Sequence, residues 1–554
     1  MYFRWLRVLA TASCFLPFSW VHGQAARLSD AESSTSDPDA DHVKERNEWF
    51  YRGRVVRGLP TAELRLRAYQ AKLQLRMQRA LALPRISPQV SFSAGSWMPL
   101  GPVPLASDAS GNGTQDYHQV AGRATAVVID PADPSGNTVY VGGAQSGIWK
   151  STNAANPVVN NVNWTPITDN QATLSIGAMA VQPGNSDPAR SLILAATGEA
   201  NNSEDSYFGL GILRSADGVN SWILIPTANS GALSFSGLGG TRMAFSGASG
   251  QSHTVVAAMA ASSEGTVADA LTNATQRGLY TSLDGGQSWT YDALTDPGGG
   301  TDPTSATSVV YNDGANRFFA AVRYHGFYSS PDGVTWTRLA NQPGGALLGT
   351  GACPPQAVSN GYGCPMYRGE ITTVPGRNEI YVWYVYFSVS GDVADGGIWQ
   401  SLNGGASWTS ISDSGITYCG DGYGCGVQQG SYNLEVLALP DGAATDLYAG
   451  AINIYRCQIN ALNPNCSASP CINLTHVYGC SPVAAPSHVH PDQHALAGMI
   501  PGSGSDAGMA LLYFANDGGI YRGLDGYSGL TPVRARGRIS SMTSIRISGR
   551  WRSS

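Results

Sequence analysis

Short apolar runs, broken by Gly, Pro, Asn and Asp, recur along most of the chain. One stretch contains four in succession: GRATAVVIDP (122–131), TVYVGGA (138–144), GIWKS (147–151) and NWTPIT (163–168). Apolar and β-branched runs bounded by turn-forming residues are typical of β-strands. Because this order recurs further along the chain, the pattern predicts a repeated unit of four strands.

The third strand of each unit carries the clearest marker, a Gly followed by apolar or aromatic residues, a polar residue and usually Ser. Copies begin at residues 147, 211, 278, 326, 397 and 519, and a degenerate copy with Asn in place of Gly begins at residue 453. The average step is about 62 residues. Four-stranded units repeated around an axis form a β-propeller, a closed ring without long unpaired edges. We therefore predict an all-β fold, a seven-bladed β-propeller over residues 96–528.

The seventh unit has no Trp-led fourth strand directly after its third. SWMPLGP (96–102) resembles the NWTPIT run but precedes the first unit. We predict that this strand pairs with the third strand of the seventh blade and closes the ring.

The first residues have the layout of a secretory signal peptide. Arg4 and Arg7 precede an apolar stretch from Val8 to Trp20, and small residues follow. We expect cleavage after a signal peptide at 1–25, a secreted or periplasmic protein, and no membrane span in the mature chain.

Residues 26–95 form a polar leader with one predicted helix, 61–82, and a linker after it. Leu64, Ala68, Ala71 and Leu75 share a stripe of that helix. A helix packed on the main domain is favoured over a membrane-binding helix, since acidic residues precede it.

Charge excludes two classes of partner. The net charge is −6 and only 13% of residues are charged, so nucleic acid and anionic membrane are not expected ligands.

The tail 529–554 differs, with six arginines and no acid. It is a basic tail, the start of a second domain or the product of a shifted reading frame. We expect a monomer.

Eight cysteines follow the signal peptide, and an even number in an exported chain favours disulfides over a zinc site. The spacing suggests pairs 353 with 364 and 419 with 425, and two bridges of open connectivity among the last four. The eight are Cys353, Cys364, Cys419, Cys425, Cys457, Cys466, Cys471 and Cys480.

A second motif, Ser-x-Asp-x-Gly-x-Ser-Trp, lies between the third and fourth strands. It is complete in SLDGGQSW around Asp284 and recurs in altered form around Asp217, Asp332 and Asn403. A short acidic side chain, Gly and Ser suit a tight turn. On this motif the chain resembles the sialidase-like Asp-box propellers, which include sialidases, sortilin-type receptor domains and xyloglucan hydrolases. The resemblance implies a propeller fold with these turns opposite the functional face.

Loops between the second and third strands, and between blades, share that functional face. Glu199 and Asp205 lie in one such loop as paired carboxylates, with Tyr207 beside them, and Gln429 lies in another. The segment HVHPDQH alternates His488, His490, Asp492 and His494, which an extended chain would place on one side. These residues are candidate ligands for a divalent metal, or hydrogen-bonding groups at the start of an inner strand.

Arg123, Arg242 and Arg368 each fall near the start of an inner strand, as candidate ligand-binding residues. Similarity to sialidases implies a role in holding a substrate carboxylate, with Tyr432 as nucleophile and Glu435 or Glu370 as base. The Phe/Tyr-Arg-Ile-Pro segment of sialidases is absent. Gln145 and Ser146 stand where a xyloglucan hydrolase would have its aspartate.

Two functions remain open. The first is a binding or scaffold module whose loop-rich face takes a glycan, peptide or protein ligand. The alternative is a glycoside hydrolase, sialidase-like or xyloglucanase-like, with Glu199, Glu370 and Glu435 as candidate catalytic residues.

Overall fold

A computed structural model gives the fold of the chain. It describes residues 61–82, 105–106, 119–156, 158, 161–201, 203, 206–247, 253–261, 275–294, 304–345, 348, 365–388, 390–411, 416, 427–460, 471–475, 489–503, 507–525 and 543–544. The signal peptide, most of the leader, Asp205, His488 and all predicted disulfide cysteines except Cys457 and Cys471 lie outside these ranges.

Strands dominate the described residues, after a single long helix, α1 (Thr61–Ala82). Two short strands, β1 (Leu105–Ala106) and β2 (Gln119–Val120), pair before the first blade.

Blade one contains β3 (Ala124–Ile129), β4 (Val139–Gly143), β5 (Gly147–Ser151) and β6 (Thr165–Pro166); blade two contains β7 (Ile176–Val181), β8 (Ile193–Thr197), β9 (Ile212–Ser215) and β10 (Ile223–Ile225). A hairpin of β11 (Thr227–Ala228) and β12 (Leu233–Ser234) follows, with short 3₁₀ helices at Pro188–Arg190 and Asn229–Gly231. Blade three contains β13 (Leu238–Phe245), β14 (Val255–Ala261), β15 (Gly278–Ser282) and β16 (Thr290–Asp292).

Blade four contains β17 (Ala306–Asn312), β18 (Arg317–Val322), β19 (Gly326–Ser330) and β20 (Thr337–Arg338); blade five contains β21 (Arg368–Thr373), β22 (Ile380–Phe387), β23 (Val393–Ser401) and β24 (Thr409–Ile411). Blade six contains β25 (Glu435–Asp441), β26 (Ala444–Gly450), β27 (Ile454–Asn460) and β28 (Ile472–Asn473). Blade seven contains β29 (Gln493–Met499), β30 (Ala510–Asn516), β31 (Gly519–Asp525) and β32 (Thr543–Ser544).

These sheets confirm the predicted seven-bladed β-propeller. Each of the seven four-stranded sheets in the described residues is antiparallel, with its strands in chain order. The first strand of every blade lies innermost and packs against the first strand of the next, and β29 packs against β3 to close the ring. The innermost strands begin at the loop-rich face and end at the opposite face, so residues at their starts surround the axis together.

The outer strand of blade seven comes from the end of the chain. Thr543 pairs with Arg522 and Ser544 with Tyr521, so β32 lies where the sequence analysis expected residues 96–102. Those residues lie outside the described ranges. The predicted role rested on a likeness between two short runs, whereas pairing also depends on which segment reaches the exposed edge of β31.

Apolar contacts between neighbouring blades form the core. Tyr140, Tyr280, Tyr328, Tyr448 and Tyr513 are all fully buried in middle strands. Because these rings fill the space between blades in five of the seven blades, burial is spread around the propeller instead of being concentrated on the axis.

Helix α1 packs on the propeller through its first turns. Ala62 is buried against Ala172, Phe208 and Leu210, while the later residues of the helix are exposed. Arg65 lies over the ring of Tyr207, 4.7 Å from its centroid. No helix among the described residues is both long and apolar enough to span a membrane.

One disulfide joins the last two strands of blade six. Cys457 in β27 bonds to Cys471, directly before β28. The sequence analysis expected two bridges among the last four cysteines without fixing their pairs; Cys466 and Cys480 lie outside the described residues.

The Asp284 turn shows why its motif recurs. Oδ1 of Asp284 accepts from the backbone N–H of Gln287 and of Ser288, each over 2.9 Å, and Oδ2 accepts from the Ser288 hydroxyl over 2.6 Å. Gly285 and Gly286 have φ of +68° and +82°, which glycine adopts without a steric cost. Asp217, Asp332 and Asn403 accept comparable bonds in their own turns. All four lie at the ends of third strands, on the face opposite the loops.

Candidate functional site

Charged and polar side chains meet across the propeller axis at the loop-rich face. Because they come from six of the seven blades, no short segment of sequence contains them together. We call this set the axial network: Arg123, Glu199, Asn201, Arg242, Arg368, Glu370, Tyr432, Glu435, His494 and Asp517.

Arg123 connects blade one to blades two and six. Its Nη2 donates to Oε2 of Glu199 over 3.0 Å, and its Nε forms an ion pair with Oε1 at 2.9 Å. Its Nη1 donates to the hydroxyl of Tyr432 over 3.0 Å. The Glu199 side chain is only 1% exposed, so its charge depends on this arginine for compensation.

Arg242 and Arg368 hold the other two glutamates. Arg242 Nη2 reaches Glu370 Oε2 over 3.2 Å and also donates to Glu435. Arg368 Nε donates to Glu370 Oε1 over 3.0 Å, and its Nη2 lies 3.5 Å from Glu435 Oε1. Each glutamate therefore contacts both guanidinium groups, linking blades three, five and six.

Arg368 also fixes the loop-rich side of the network. Its Nη1 donates to the carbonyl of Tyr432 over 2.6 Å and to Oδ1 of Asn201 over 3.3 Å, while its Nη2 donates to the carbonyl of Leu434 over 3.0 Å. A guanidinium group with several donors suits this crowded position. The side chain is 10% exposed.

Asn201 determines the proton position on His494. Because Arg368 faces Oδ1, the Asn201 amide nitrogen is free to donate to Glu199 Oε1 over 2.8 Å and to His494 Nδ1 over 2.9 Å. Nδ1 is therefore the acceptor, and Nε2 carries the proton that it donates to Asp517 over 2.7 Å.

Asp517 completes this arrangement from the tight turn between β30 and β31. Both of its oxygens lie 2.9 Å from the Tyr432 hydroxyl, which donates to it. Burial alone would raise the pKa of Asp517, but His494 and Arg123 favour the carboxylate and lower the pKa to about 2. Burial, reinforced by Asp517, raises the pKa of Tyr432 well above its usual range, so the phenol keeps its proton.

Glu435 and Arg242, unlike Asp517, have pKa values that are raised. Burial raises the pKa of Glu435, and the nearby carboxylate of Glu370 raises it further. Arg242 and Arg368 lower this pKa by a smaller amount, so it is about 8. Burial works against the charge on Arg242, but Glu435 and Glu370 outweigh it and raise the pKa of Arg242.

Little space remains among these side chains. A cavity of about 20 Å³ lies beside Arg368, Glu435 and His494, with Thr125, Thr241 and Thr307 in its walls. A space of that size holds about one water molecule. The described residues at this point form a closed, polar layer across the axis.

The structure brings together most, but not all, of the predicted site residues. The three arginines, the three glutamates, Tyr432 and His494 all meet in the axial network. Tyr432 pairs with Asp517 and Arg123, not with Glu435 or Glu370 as the sialidase resemblance implied. That difference arises because its hydroxyl points toward blade seven.

Tyr207 and Gln429 lie away from the network. The Tyr207 ring stacks on Phe208 and faces helix α1, while its carbonyl accepts from the Glu199 N–H over 2.8 Å. Gln429 accepts from the N–H of Tyr432 through its carbonyl and from Asn433 through Oε1. Both residues support the positions of network members and do not line the axis.

The histidine segment is not extended as the sequence analysis assumed. Asp492 has φ of +67°, which turns the chain directly before β29, so alternate residues do not share one side. Asp492 accepts from Asn433 over 2.6 Å, and His490 Nδ1 lies 3.2 Å from the carbonyl of Pro491. Among the residues that the structure describes, no three His, Cys, Asp or Glu side chains come together as metal ligands. His488 lies outside those residues.

Two network residues were missed as individual candidates. Asn201 lies in the same loop as Glu199, and Asp517 lies in the turn NDGG between the second and third strands of blade seven, a kind of loop that the sequence analysis assigned to the functional face. An Asp in an Asn-Asp-Gly-Gly turn is usually a turn-former. Only the distance between Tyr432 and Asp517, 85 residues apart in sequence, reveals the other role.

No model of a known protein family matches the chain, and neither does any curated protein sequence. Solved structures with similar folds include an ancestral GH74 enzyme, at 19% identity and a TM-score of 0.48, and YCF48 from Cyanidioschyzon merolae, at 12% identity and a TM-score of 0.39. The first match covers 77% of this chain and 46% of the enzyme; the second covers 73% and 96%. A YCF48 bound to D1 peptide matches at 10% identity, with a TM-score of 0.38 and coverage of 73% and 93%. The chain thus spans less than half of the GH74 enzyme, and at these identities the likeness concerns the propeller fold alone.

Proposed function

We propose that the chain is a binding or scaffold module whose loop-rich face receives a glycan, peptide or protein ligand. One observation carries the proposal: each candidate arginine of the axial network is already paired with a glutamate of the same chain. A substrate carboxylate held by all three arginines together, as the sialidase resemblance implied, would have to displace these buried partners, which is costly because it leaves a glutamate charge uncompensated.

An aromatic cluster gives the same face a surface suited to ligands. Arg323 lies 3.9 Å from the centroid of the Tyr367 ring, and Tyr367 meets Tyr324 and Phe387 edge to face. Tyr324 is half-buried and has φ of +62°, an uncommon backbone conformation for a residue with a side chain. Aromatic and arginine side chains are enriched at binding surfaces, which supports a ligand site beside the axial network.

A glycoside hydrolase is the second candidate, because of Glu435. A general acid in these enzymes needs a raised pKa, and burial gives Glu435 a pKa of about 8. Against this role, the Glu435 side chain is only 4% exposed and contacts two arginines.

The test is a paired screen of the full-length protein. Immobilised glycans, peptides and candidate proteins measure binding, while chromogenic glycosides and polysaccharides measure hydrolysis. We expect binding without turnover. Tyr324→Ala should weaken the binding at least about tenfold, and Leu283→Ala, an exposed residue of the opposite face, should leave it unchanged. Turnover that Glu435→Gln abolishes would establish the hydrolase instead.

A further inference from the structure

A second cavity lies on the other side of the axial network. It has a volume of about 450 Å³ and is lined by the innermost strands of blades one, two, three, six and seven. Its walls continue past the ends of β3 and β7 to Pro131 and Pro183, so the cavity reaches the face opposite the loops. We call it the axial channel.

The walls of the axial channel are mainly apolar. Ala126, Ala178, Met243, Leu437 and Leu496 line it, together with Phe245 near the far end. Small-molecule sites typically have a volume of about 300–1,000 Å³. Their walls are mostly apolar, with a few polar groups that fix the ligand. This channel has the volume and the lining of such a site.

Polar groups converge at the inner end, where the channel meets the axial network. Arg242 lines the channel there, beside Thr125, Thr241 and His494. The Arg242 side chain is 23% exposed, and both of its bonds to glutamate use Nη2. Among the described residues, its Nε and Nη1 have no hydrogen-bond partner, so N–H donors on two sides of the guanidinium remain for a ligand.

The charge around Arg242 permits an anion. Two arginines and two glutamates meet at this point, so the group is neutral when both glutamates are ionised. Burial raises the pKa of Glu435, which favours its protonated form and gives the group a positive charge. A carboxylate beside the Arg242 guanidinium would then meet a cation in a region with little water.

We propose that the axial channel binds a small anionic amphiphile, a carboxylate with an unbranched apolar body. The carboxylate accepts from an Arg242 N–H that no glutamate uses, at Nε or at Nη1, and the apolar body lies along Ala126, Ala178 and Leu437. Strands of six residues span about 20 Å, which accommodates an extended medium-length alkyl chain. This site is separate from the one proposed on the loop-rich face.

Calorimetric titration of the full-length protein tests the proposal with octanoate, octanol and butyrate. Octanoate should bind with one-to-one stoichiometry, at least about tenfold more tightly than octanol, which lacks the charge, and than butyrate, which has a shorter body. This comparison needs no variant. Equal affinity for octanoate and octanol, or no octanoate binding, would overturn the proposal.

Three variants locate the site. Arg242→Gln should weaken octanoate at least about tenfold and leave octanol unchanged. Ala497→Phe, in the channel wall, should weaken both ligands by filling the space. Glu370→Gln disturbs the same ion pairs but removes a negative charge, so it should strengthen octanoate binding. Octanoate binding that none of the three changes would place the ligand elsewhere and refute the assignment.

Discussion

Acidic residues play two different roles on the two faces of this propeller. Asp284, in a turn on the face opposite the loops, receives its side-chain hydrogen bonds from residues at most four positions away. Glu199 and Glu435, on the axis, contact arginines 76 and 193 residues away. The first kind of acid shapes one turn, whereas the second holds separate blades in one ring. The same chemical group thus carries a local or a global part of the stability, depending on where its partner lies in sequence.

The largest effect should follow from removing Arg368. Arg368→Met leaves Glu370 with one cation instead of two and removes donors to two backbone carbonyls. We expect a loss of about 3–5 kcal/mol in the free energy of unfolding, measured by urea titration, because breaking a buried ion pair leaves charge uncompensated. Arg190→Met, at an exposed arginine, is the matched control and should stay within about 0.5 kcal/mol. A loss no larger than that of the control would show that the axial network does not hold the blades.

A buried acid that faces no cation among the described residues, Asp292, should respond to pH instead. Asp292 accepts from Thr281 and from the Trp336 indole, and burial raises its pKa from 3.8 to about 8. The folded protein therefore binds this proton more tightly than the unfolded chain. The free energy of unfolding should fall as pH rises between these two values, by up to about 1.4 kcal/mol per pH unit.

Asp292→Asn replaces the carboxyl group with an amide that cannot ionise. The variant should therefore be more resistant to urea than the wild type at pH 8, with a smaller difference at pH 5. Glu63→Gln, on the exposed part of helix α1, neutralises an acid without burial and should show no such trend. A wild-type stability that rises between pH 5 and pH 8 relative to Asp292→Asn would contradict the assignment.

The turns of the outer face should give smaller effects. Asp284→Ala removes an acceptor for two backbone N–H groups and two hydroxyls, and should cost about 1–2 kcal/mol of unfolding free energy. Asn403→Asp should change stability by less than about 0.5 kcal/mol. Asn403 already accepts from the Ser407 N–H, and only the direction of the Ser407 hydroxyl bond has to reverse. A large loss for Asn403→Asp would mean that these turns are not interchangeable.

The same contrast explains what could be predicted from the sequence. Strand count, blade number and the helix follow from local patterns, and all three agree with the structure. The Asp284 turn is also local, so its residues stand side by side in the sequence. Candidate members of the axial network could be found, since Arg123, Arg242 and Arg368 each lie near the start of an inner strand and residues in that position surround the axis.

The pairing within the network could not be predicted. Nothing near Tyr432 in sequence indicates that its hydroxyl meets Asp517, and family resemblance suggested Glu435 or Glu370 instead. The prediction that the histidine segment is extended was wrong for a local reason. The positive φ at Asp492 turns the chain before His494 enters β29. Alternation predicts a common side only for an extended segment.

A double-mutant cycle between Arg123 and Glu199 tests the central claim most directly, namely that the axial network holds blades together. Arg123 lies directly before the first strand of blade one, and Glu199 follows the second strand of blade two. Arg123 Nη2 donates to Glu199 Oε2 over 3.0 Å. Unfolding free energies of Arg123→Met, Glu199→Gln and the double variant give the coupling between them. We predict a coupling of about 1–3 kcal/mol; single-variant effects that add to within about 0.5 kcal/mol would contradict the account.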